Sequence, residues 1–229
     1  EAESWLVGPS YIAWQFMSNM ENYGGPMNDQ YILDRLELAR KNQRKMRVLG
    51  MDPVMQGYAG MIPSDYDDVI TTKGASQGEY KKYIDAMMPQ GSWGGQFERP
   101  AMLKTNTEAF NSAAEMFYQS QKDVLGEISN YYAVDPFHEG GIRPSDMSEA
   151  EISETVLGKM MEADDKAVWV IQSWEGNPTK QLLDGLGEYR DEHALILDLT
   201  STSQPHYNNS RWGDEFYGTP WVYCMLDNF

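Results

Sequence analysis

The sequence predicts an α/β fold, specifically a partial (β/α) TIM-like barrel with about five parallel strands and crossover helices. Five short apolar segments recur along the 229 residues, and each ends in polar residues or glycine. Segments with helical spacing lie between them, so strands and helices alternate. This alternation is typical of parallel strands joined by helices. A near-continuous apolar run is typical of a strand that is covered on both faces.

The most informative of the predicted strands ends abruptly in Asp135. Pro136 has no N–H to donate, so the strand should end near Asp135 and leave Phe137, His138 and Glu139 in the rim above it. Barrel enzymes place catalytic acids at this end of a strand, although a solvated strand end is an equally open interpretation. The other four predicted strands span residues 52–58, 167–173, 194–199 and 220–226.

Four segments carry a helical pattern. A serine at position 148 with a glutamate three residues later predicts a capping box at the start of one of them. None of the glycine pairs has the spacing of a dinucleotide-binding turn, which argues against a Rossmann-type fold. Residues 64–97 are expected to form a long polar connection. The predicted helices span residues 28–49, 107–124, 148–161 and 178–186.

The composition excludes several classes of function. The chain has 18 basic and 35 acidic residues, a net charge of −17, which argues against nucleic acid as a partner because phosphates require Lys and Arg. The sequence contains no apolar run long enough for a membrane span. Cys224 is the only cysteine, so an intrachain disulfide and a cysteine-rich zinc site are both excluded. Within its apolar run, it is expected to be an inert small hydrophobe.

A metal site is a competing interpretation of the same strand end. Asp135, His138 and Glu139 offer possible ligands, together with His193 or His206. However, no two histidines have the i, i+4 spacing of a zinc-binding helix. His193 follows two acidic residues and is expected to be a solvated loop histidine. We therefore expect no metal site.

A carbohydrate site fits the pattern better. Glycosidases need two carboxyl groups beside the scissile bond, and aromatic side chains that pack on the sugar ring. Trp14, Trp93 and Trp174 all lie at predicted loops or strand ends, beside Gly, Ser or Gln. Each of them could equally be a core residue, but three at loop positions together favour a ligand pocket.

Several segments in order along the chain resemble the alpha-N-acetylglucosaminidases, glycoside hydrolase family 89. The resemblance covers nearly the whole chain, which makes it far more specific than any one motif. The segments are GPSYIAWQ (8–15), GGP (24–26), MRVLGMDPV (46–54), AVDPFHE (133–139), AVWVIQSW (167–174), LDL (197–199), SQP (203–205) and WVYCMLDNF (221–229).

The resemblance implies an exo-acting, retaining hydrolase that releases terminal alpha-linked N-acetylglucosamine from glycans, without a cofactor. It implies that Glu139 is the general acid/base. It further implies that Trp14, Trp93 and Trp174 line the sugar pocket, and that His138 binds substrate at a place where some members have Asn. A secreted, periplasmic or lysosomal location also follows from the resemblance.

The resemblance also implies that residues 1–229 are a fragment of one (β/α)-barrel catalytic domain, truncated at both ends. Five strands cannot close an eight-stranded barrel, and the family's nucleophile would lie beyond Phe229. The rest of the parent chain would be needed to complete the barrel, and we expect the fragment alone to be inactive. The alternative function is a catalytically inactive, carbohydrate-binding relative of the same fold.

Overall fold

A computed structural model describes residues 29–64, 66, 77–93, 95, 97–137 and 140–224 of the chain. The chain divides into two compact units. The first comprises Glu1–Pro53, Ala59–Ile128 and Gly140–Ile142, and the second comprises Val54–Tyr58, Ser129–Glu139 and Arg143–Phe229. Strands and helices are numbered in chain order through both units.

The first unit combines helices with short antiparallel strands. Strand β6 (Ala101–Leu103) lies between β2 (Met61–Ile62) and β3 (Met87–Met88) in one sheet, and β4 (Ser92–Trp93) pairs with β5 (Phe97–Glu98) in another. Thr107 caps the helix that follows it by accepting a hydrogen bond from the backbone N–H of Phe110, as expected for an N-cap threonine. The helices described in this unit are α1 (Asp29–Val48), α2 (Gln77–Ala86) and α3 (Glu108–Leu125).

Helices α1 and α3 confirm two of the predicted helical segments. The prediction of a long connection over residues 64–97 is wrong, because this region contains α2, β3 and β4. Helix α2 buries only Tyr83 and Ala86 among its described side chains. So few buried positions leave too weak a period to detect in a single sequence. Among the described helices, none combines the length and apolarity needed to cross a bilayer.

The second unit is built on a five-stranded parallel sheet. Each of the five predicted strand segments contains one of its strands, so the predicted parallel α/β architecture is confirmed. In spatial order the strands are β1 (Val54–Gln56), β7 (Tyr131–Ala133), β8 (Val168–Ser173), β9 (Ala194–Asp198) and β10 (Trp221–Tyr223).

The apolar runs are explained by where the strands lie in the sheet. In the central strand β8, Trp169, Val170 and Ile171 are successive buried residues. The outer strand β10 exposes Val222 and Tyr223. A strand flanked on both sides and covered on both faces requires a continuous apolar sequence, and β8 therefore gives the clearest sequence signal.

Helices of the second unit connect the sheet strands. Helix α4 (Glu149–Ala163) lies between β7 and β8 in the chain, and α5 (Lys180–Gly185) and α6 (Arg190–His193) lie between β8 and β9. The predicted capping box is confirmed, since Ser148 and Glu151 each accept a hydrogen bond from the other's backbone N–H.

Helix α4 packs closely against α5. A Cβ atom on Gly185 would lie 2.2 Å from both the carbonyl oxygen of Ala150 and the hydroxyl of Ser153. Only glycine fits this contact. The hydroxyl of Ser153 also donates to the carbonyl of Leu182 at 2.8 Å.

Candidate active site

The candidate site lies at the carboxyl ends of the parallel strands. Ala133, the last residue of β7, pairs with Val170, and β8 continues to Ser173, which pairs with Asp198 at the end of β9. Since parallel strands all point the same way, the connections that follow them meet at one edge of the sheet. In (β/α) barrels this is the edge that carries the catalytic residues.

The connection after β7 turns sharply. The strand ends at Ala133, two residues earlier than expected from Pro136. The carbonyl of Val134 accepts a hydrogen bond from the indole N–H of buried Trp169 at 2.8 Å. Pro136 and Phe137 form a turn in which Phe137 has φ 59°, in the left-handed region that non-glycine residues seldom adopt. The chain thus changes direction immediately before residues 138 and 139.

The connection after β8 begins with a tight four-residue turn. The backbone N–H of Trp174 donates to the carbonyl of Asn177 at 3.2 Å, and the N–H of Asn177 donates to the carbonyl of Trp174 at 2.9 Å. Glu175 inside the turn has φ 53°. The side chain of Trp174 is 37% exposed, so part of its indole is open to solvent at this edge of the sheet.

A carboxylate joins these two connections. Asp135 Oδ1 accepts a hydrogen bond from the backbone N–H of Gln172 at 3.3 Å and another from Asn177 Nδ2 at 3.2 Å. The same amide nitrogen of Asn177 also donates to the carbonyl of Gln172 at 2.8 Å. The turn after β8 is therefore attached to the connection after β7 by side chains as well as by the sheet.

The connection after β9 is organised around a second carboxylate. Asp198 is fully buried, and its Oδ2 accepts hydrogen bonds from the backbone N–H groups of His206 and Tyr207 at 2.9 and 3.0 Å. Its carbonyl accepts from the hydroxyl of Ser201 at 2.6 Å and from the N–H of Cys224 at 3.2 Å. These bonds fix the connection that follows β9, and Cys224 after β10, at the end of the strand.

His206 connects the segment that follows β9 to the end of strand β8. Its Nδ1 is hydrogen-bonded to the hydroxyl of Ser173 at 2.7 Å, and Ser173 immediately precedes Trp174. Burial lowers the pKa of His206 below its ordinary value of 6.5; nearby Asp198 opposes this shift and Arg211 adds to it. A neutral imidazole that bonds Ser173 is the result.

Only some of the predicted site residues lie in the part of the chain that the structure describes. Trp14, His138 and Glu139 lie outside the described residues. Trp93 lies in strand β4 of the first unit, whereas Trp174 lies at the carboxyl end of β8, as predicted. Asp135 accepts a hydrogen bond from the backbone N–H of Gln172, a residue of strand β8.

We did not predict Asn177 as a site residue, nor the roles of Asp198 and His206 in the second unit. Asp198 had a usable signal, because a charged residue at the end of an apolar run has to be satisfied by neighbouring donors. Asn177 and His206 had none, since their side-chain partners, Asp135 and Ser173, are 42 and 33 residues away in the sequence.

The described residues contain no group of three or more His, Cys, Asp or Glu side chains that could hold a metal ion. His193, expected to be a solvated loop residue, instead has its Nδ1 2.7 Å from the carbonyl of Ala167 and is half-buried. Cys224, expected inside an apolar strand, follows β10 and is half-buried.

Comparisons with known proteins agree with this geometry. Residues 1–229 match the family model described as the alpha-N-acetylglucosaminidase (NAGLU) tim-barrel domain. Human alpha-N-acetylglucosaminidase is 27% identical over 239 residues, a match that covers 100% of the chain and 30% of the human protein.

Solved structures of a family 89 glycoside hydrolase from Clostridium perfringens are also similar. One, with two glutamates changed to glutamine, contains its substrate GlcNAc-alpha-1,4-galactose; it is 40% identical with a TM-score of 0.83, covering 99% of this chain and 24% of that one. Another, in complex with 2-acetamido-1,2-dideoxynojirmycin, is 40% identical with a TM-score of 0.82 and the same coverage. The chain therefore spans 24–30% of the length of these relatives. It belongs to the alpha-N-acetylglucosaminidase family, since residues 1–229 all match that family's tim-barrel domain model.

Proposed function

We propose that the protein is an exo-acting, retaining glycoside hydrolase that releases terminal alpha-linked N-acetylglucosamine from glycans. The observation that carries the proposal is the pair of connections after β7 and β8. One leads directly to Glu139 and the other presents Trp174, and Asp135 holds them side by side. Hydrolysis of a glycosidic bond requires a carboxylic acid, and aromatic side chains commonly pack on the sugar ring.

Glu139 is proposed to act as general acid and then as general base. It would protonate the glycosidic oxygen as the bond breaks, and later take a proton from the attacking water. A retaining enzyme needs a second carboxyl group about 5–5.5 Å away as its nucleophile. We assign that role to a glutamate beyond residue 229. The two glutamates replaced in the substrate complex of the Clostridium perfringens relative support a pair of this kind.

Sugar binding is assigned to Trp14, Trp93, Trp174 and His138. Trp174 has the strongest support, because it is exposed at the carboxyl edge of the sheet. An indole can cover the apolar face of a pyranose ring, and His138, next to the acid, can bond a sugar hydroxyl. The proposed partner is thus a glycan that ends in alpha-N-acetylglucosamine, and the proposed location is secreted, periplasmic or lysosomal.

The test is an assay of the full-length protein with GlcNAc-alpha-1,4-galactose. We expect release of N-acetylglucosamine, with the alpha anomer appearing first in a proton NMR time course. A beta-linked disaccharide serves as the control and should remain intact. First appearance of the beta anomer would contradict a retaining mechanism. Binding of the disaccharide without hydrolysis would favour the inactive, carbohydrate-binding alternative.

A further inference from the structure

The turn that carries Trp174 is held in place from a neighbouring strand. We infer that Asp135 and Asn177 are positioning residues for the glycosidase reaction, which lock the Trp174 turn to the connection that precedes Glu139. This inference rests on the proposed function and adds two residues to it. Neither is assigned to contact the sugar; each acts through the geometry of the two connections.

The side chains of Asp135 and Asn177 together hold the end of strand β8. Asn177 Nδ2 reaches both Asp135 Oδ1, at 3.2 Å, and the carbonyl of Gln172, at 2.8 Å. Asp135 Oδ1 also takes the backbone N–H of Gln172. One amide and one carboxylate thus fix the end of β8 at both its N–H and its carbonyl. Hydrogen bonds to a charged acceptor are stronger than neutral ones.

The turn from Trp174 to Asn177 needs support, because one of its residues has a left-handed backbone conformation. Glu175 has φ 53°, a left-handed conformation that costs a residue with a side chain about 1–2 kcal/mol. Such conformations persist only where surrounding contacts hold them. The backbone pair between Trp174 and Asn177 closes the turn, and the side chain of Asn177 anchors the closed turn to Asp135. Without that anchor, the turn has a nearby route to relax and Trp174 moves with it.

A similar asparagine–aspartate pair lies at the opposite edge of the sheet. There, Asn130 Nδ2 donates to the carboxylate of Asp164 at 2.8 and 3.1 Å. Asn130 directly precedes β7, and Asp164 lies shortly before β8. The same two strands therefore carry an asparagine–aspartate pair at each end. In barrels, residues at the amino-terminal edge serve stability and those at the carboxyl edge serve catalysis.

This symmetry supplies a matched control. In the full-length protein, Asn177→Ala should raise KM both for GlcNAc-alpha-1,4-galactose and for an aryl alpha-N-acetylglucosaminide whose leaving group needs no proton. In addition, it should lower kcat for the disaccharide but not for the aryl glycoside, because Glu139 would no longer be aligned to donate its proton. The combined loss in kcat/KM should reach up to about 100-fold, the effect of a misplacement of about 1 Å. Asn130→Ala should leave both constants unchanged.

A second readout does not depend on activity. Amide hydrogen exchange should become faster in Asn177→Ala both at residues 174–177 and at Asp135 and Phe137, since the two connections are proposed to be locked together. In Asn130→Ala both segments should exchange as in the unmodified protein. Asp135→Asn keeps the size of the side chain and the acceptor for Gln172, so this variant should fold and show the same changes to a smaller extent.

The outcomes are separable. Faster exchange confined to residues 174–177 would overturn the lock, as would equal kinetic effects of Asn177→Ala and Asn130→Ala. Unchanged kinetics in Asp135→Asn with unchanged exchange would overturn it as well. If the unmodified protein released no N-acetylglucosamine, the proposed function would fail, and hydrogen exchange would still decide whether the two connections are coupled.

Discussion

The imidazole of His206 lies parallel to the indole of Trp212, with ring centroids 3.6 Å apart and an angle of 10° between the planes. Arg211 lies over the same indole, 4.9 Å from its centroid. Burial disfavours the charged form of the His206 ring and lowers its pKa, so it remains a neutral partner for Ser173.

This contact predicts a pH dependence of stability. Because the pKa of His206 is lower in the folded state than its ordinary value of 6.5, the unfolded chain takes up the proton first as the pH falls. The stabilising contribution is therefore present above pH 6.5 and is lost as the pH falls through the folded-state pKa. His206→Phe keeps a stacking ring without a proton to gain. Thermal melts at about pH 7.5 and about pH 5.5 should differ less for this variant than for the unmodified protein. An equal difference in both would contradict the assignment.

Glu139→Gln should remove proton donation while preserving the shape of the site. We expect the rate on GlcNAc-alpha-1,4-galactose to fall by about 10²–10⁴-fold, the usual contribution of a general acid. Bond cleavage in an aryl glycoside with a good leaving group should suffer less, because it needs no proton. Glu154→Gln, on the exposed side of α4, is the control and should behave as the unmodified protein. Equal rates on the disaccharide for both variants would remove Glu139 from the mechanism.

Replacing the two tryptophans at the two ends of β8 by alanine should have different effects, one on ligand binding and the other on stability. Trp174→Ala should weaken binding of N-acetylglucosamine by about 1 kcal/mol or more and change the melting temperature little, since the side chain is 37% exposed. Trp169→Ala should cost about 3–5 kcal/mol of stability, because its side chain is fully buried. Ligand titration and thermal melting of both variants measure the contrast. A large loss of stability in Trp174→Ala would instead make it a core residue.

Two glycines, one at the contact between α4 and α5 and one within α4, should change stability in opposite directions when replaced by alanine. Gly185→Ala should destabilise the protein, since the new Cβ would lie 2.2 Å from the carbonyl oxygen of Ala150. Gly158→Ala should stabilise it by about 0.5–1 kcal/mol, because Gly158 lies within α4 and a Cβ there would meet no atom within 4 Å. Denaturant unfolding of the two variants tests both signs, and a stabilising Gly185→Ala would refute the close packing.

Chelation should leave the activity unchanged. The proposed mechanism uses two carboxyl groups and a water, and it has no step that requires a metal ion. The full-length protein should therefore hydrolyse the disaccharide equally well before and after exhaustive dialysis against a chelator. Loss of activity that zinc or calcium restores would return Asp135, His138 and Glu139 to consideration as ligands.

The parts of the fold that local sequence determines were predicted well. β8 and β9 are apolar because flanking strands and helices cover them. The capping box of Ser148 and Glu151 marks the start of α4 in the sequence. Helix α2 escaped detection because it buries few residues. Asp135 and Asn177 are 42 residues apart, and their contact depends on how β7 and β8 align. No local pattern encodes such a relationship, so the residues that organise the candidate site emerge only from the structure.

The asparagine–aspartate bridge at the carboxyl edge has a consequence for inheritance. An insertion between Ala133 and Asp135 would carry the carboxylate out of reach of Asn177, and a length change between Ser173 and Asn177 would do the same from the other side. The connection after β7 therefore cannot change its length unless the connection after β8 changes with it, and the reverse also holds. Among relatives, and in any chimera made between them, the two connections should be exchanged as a pair.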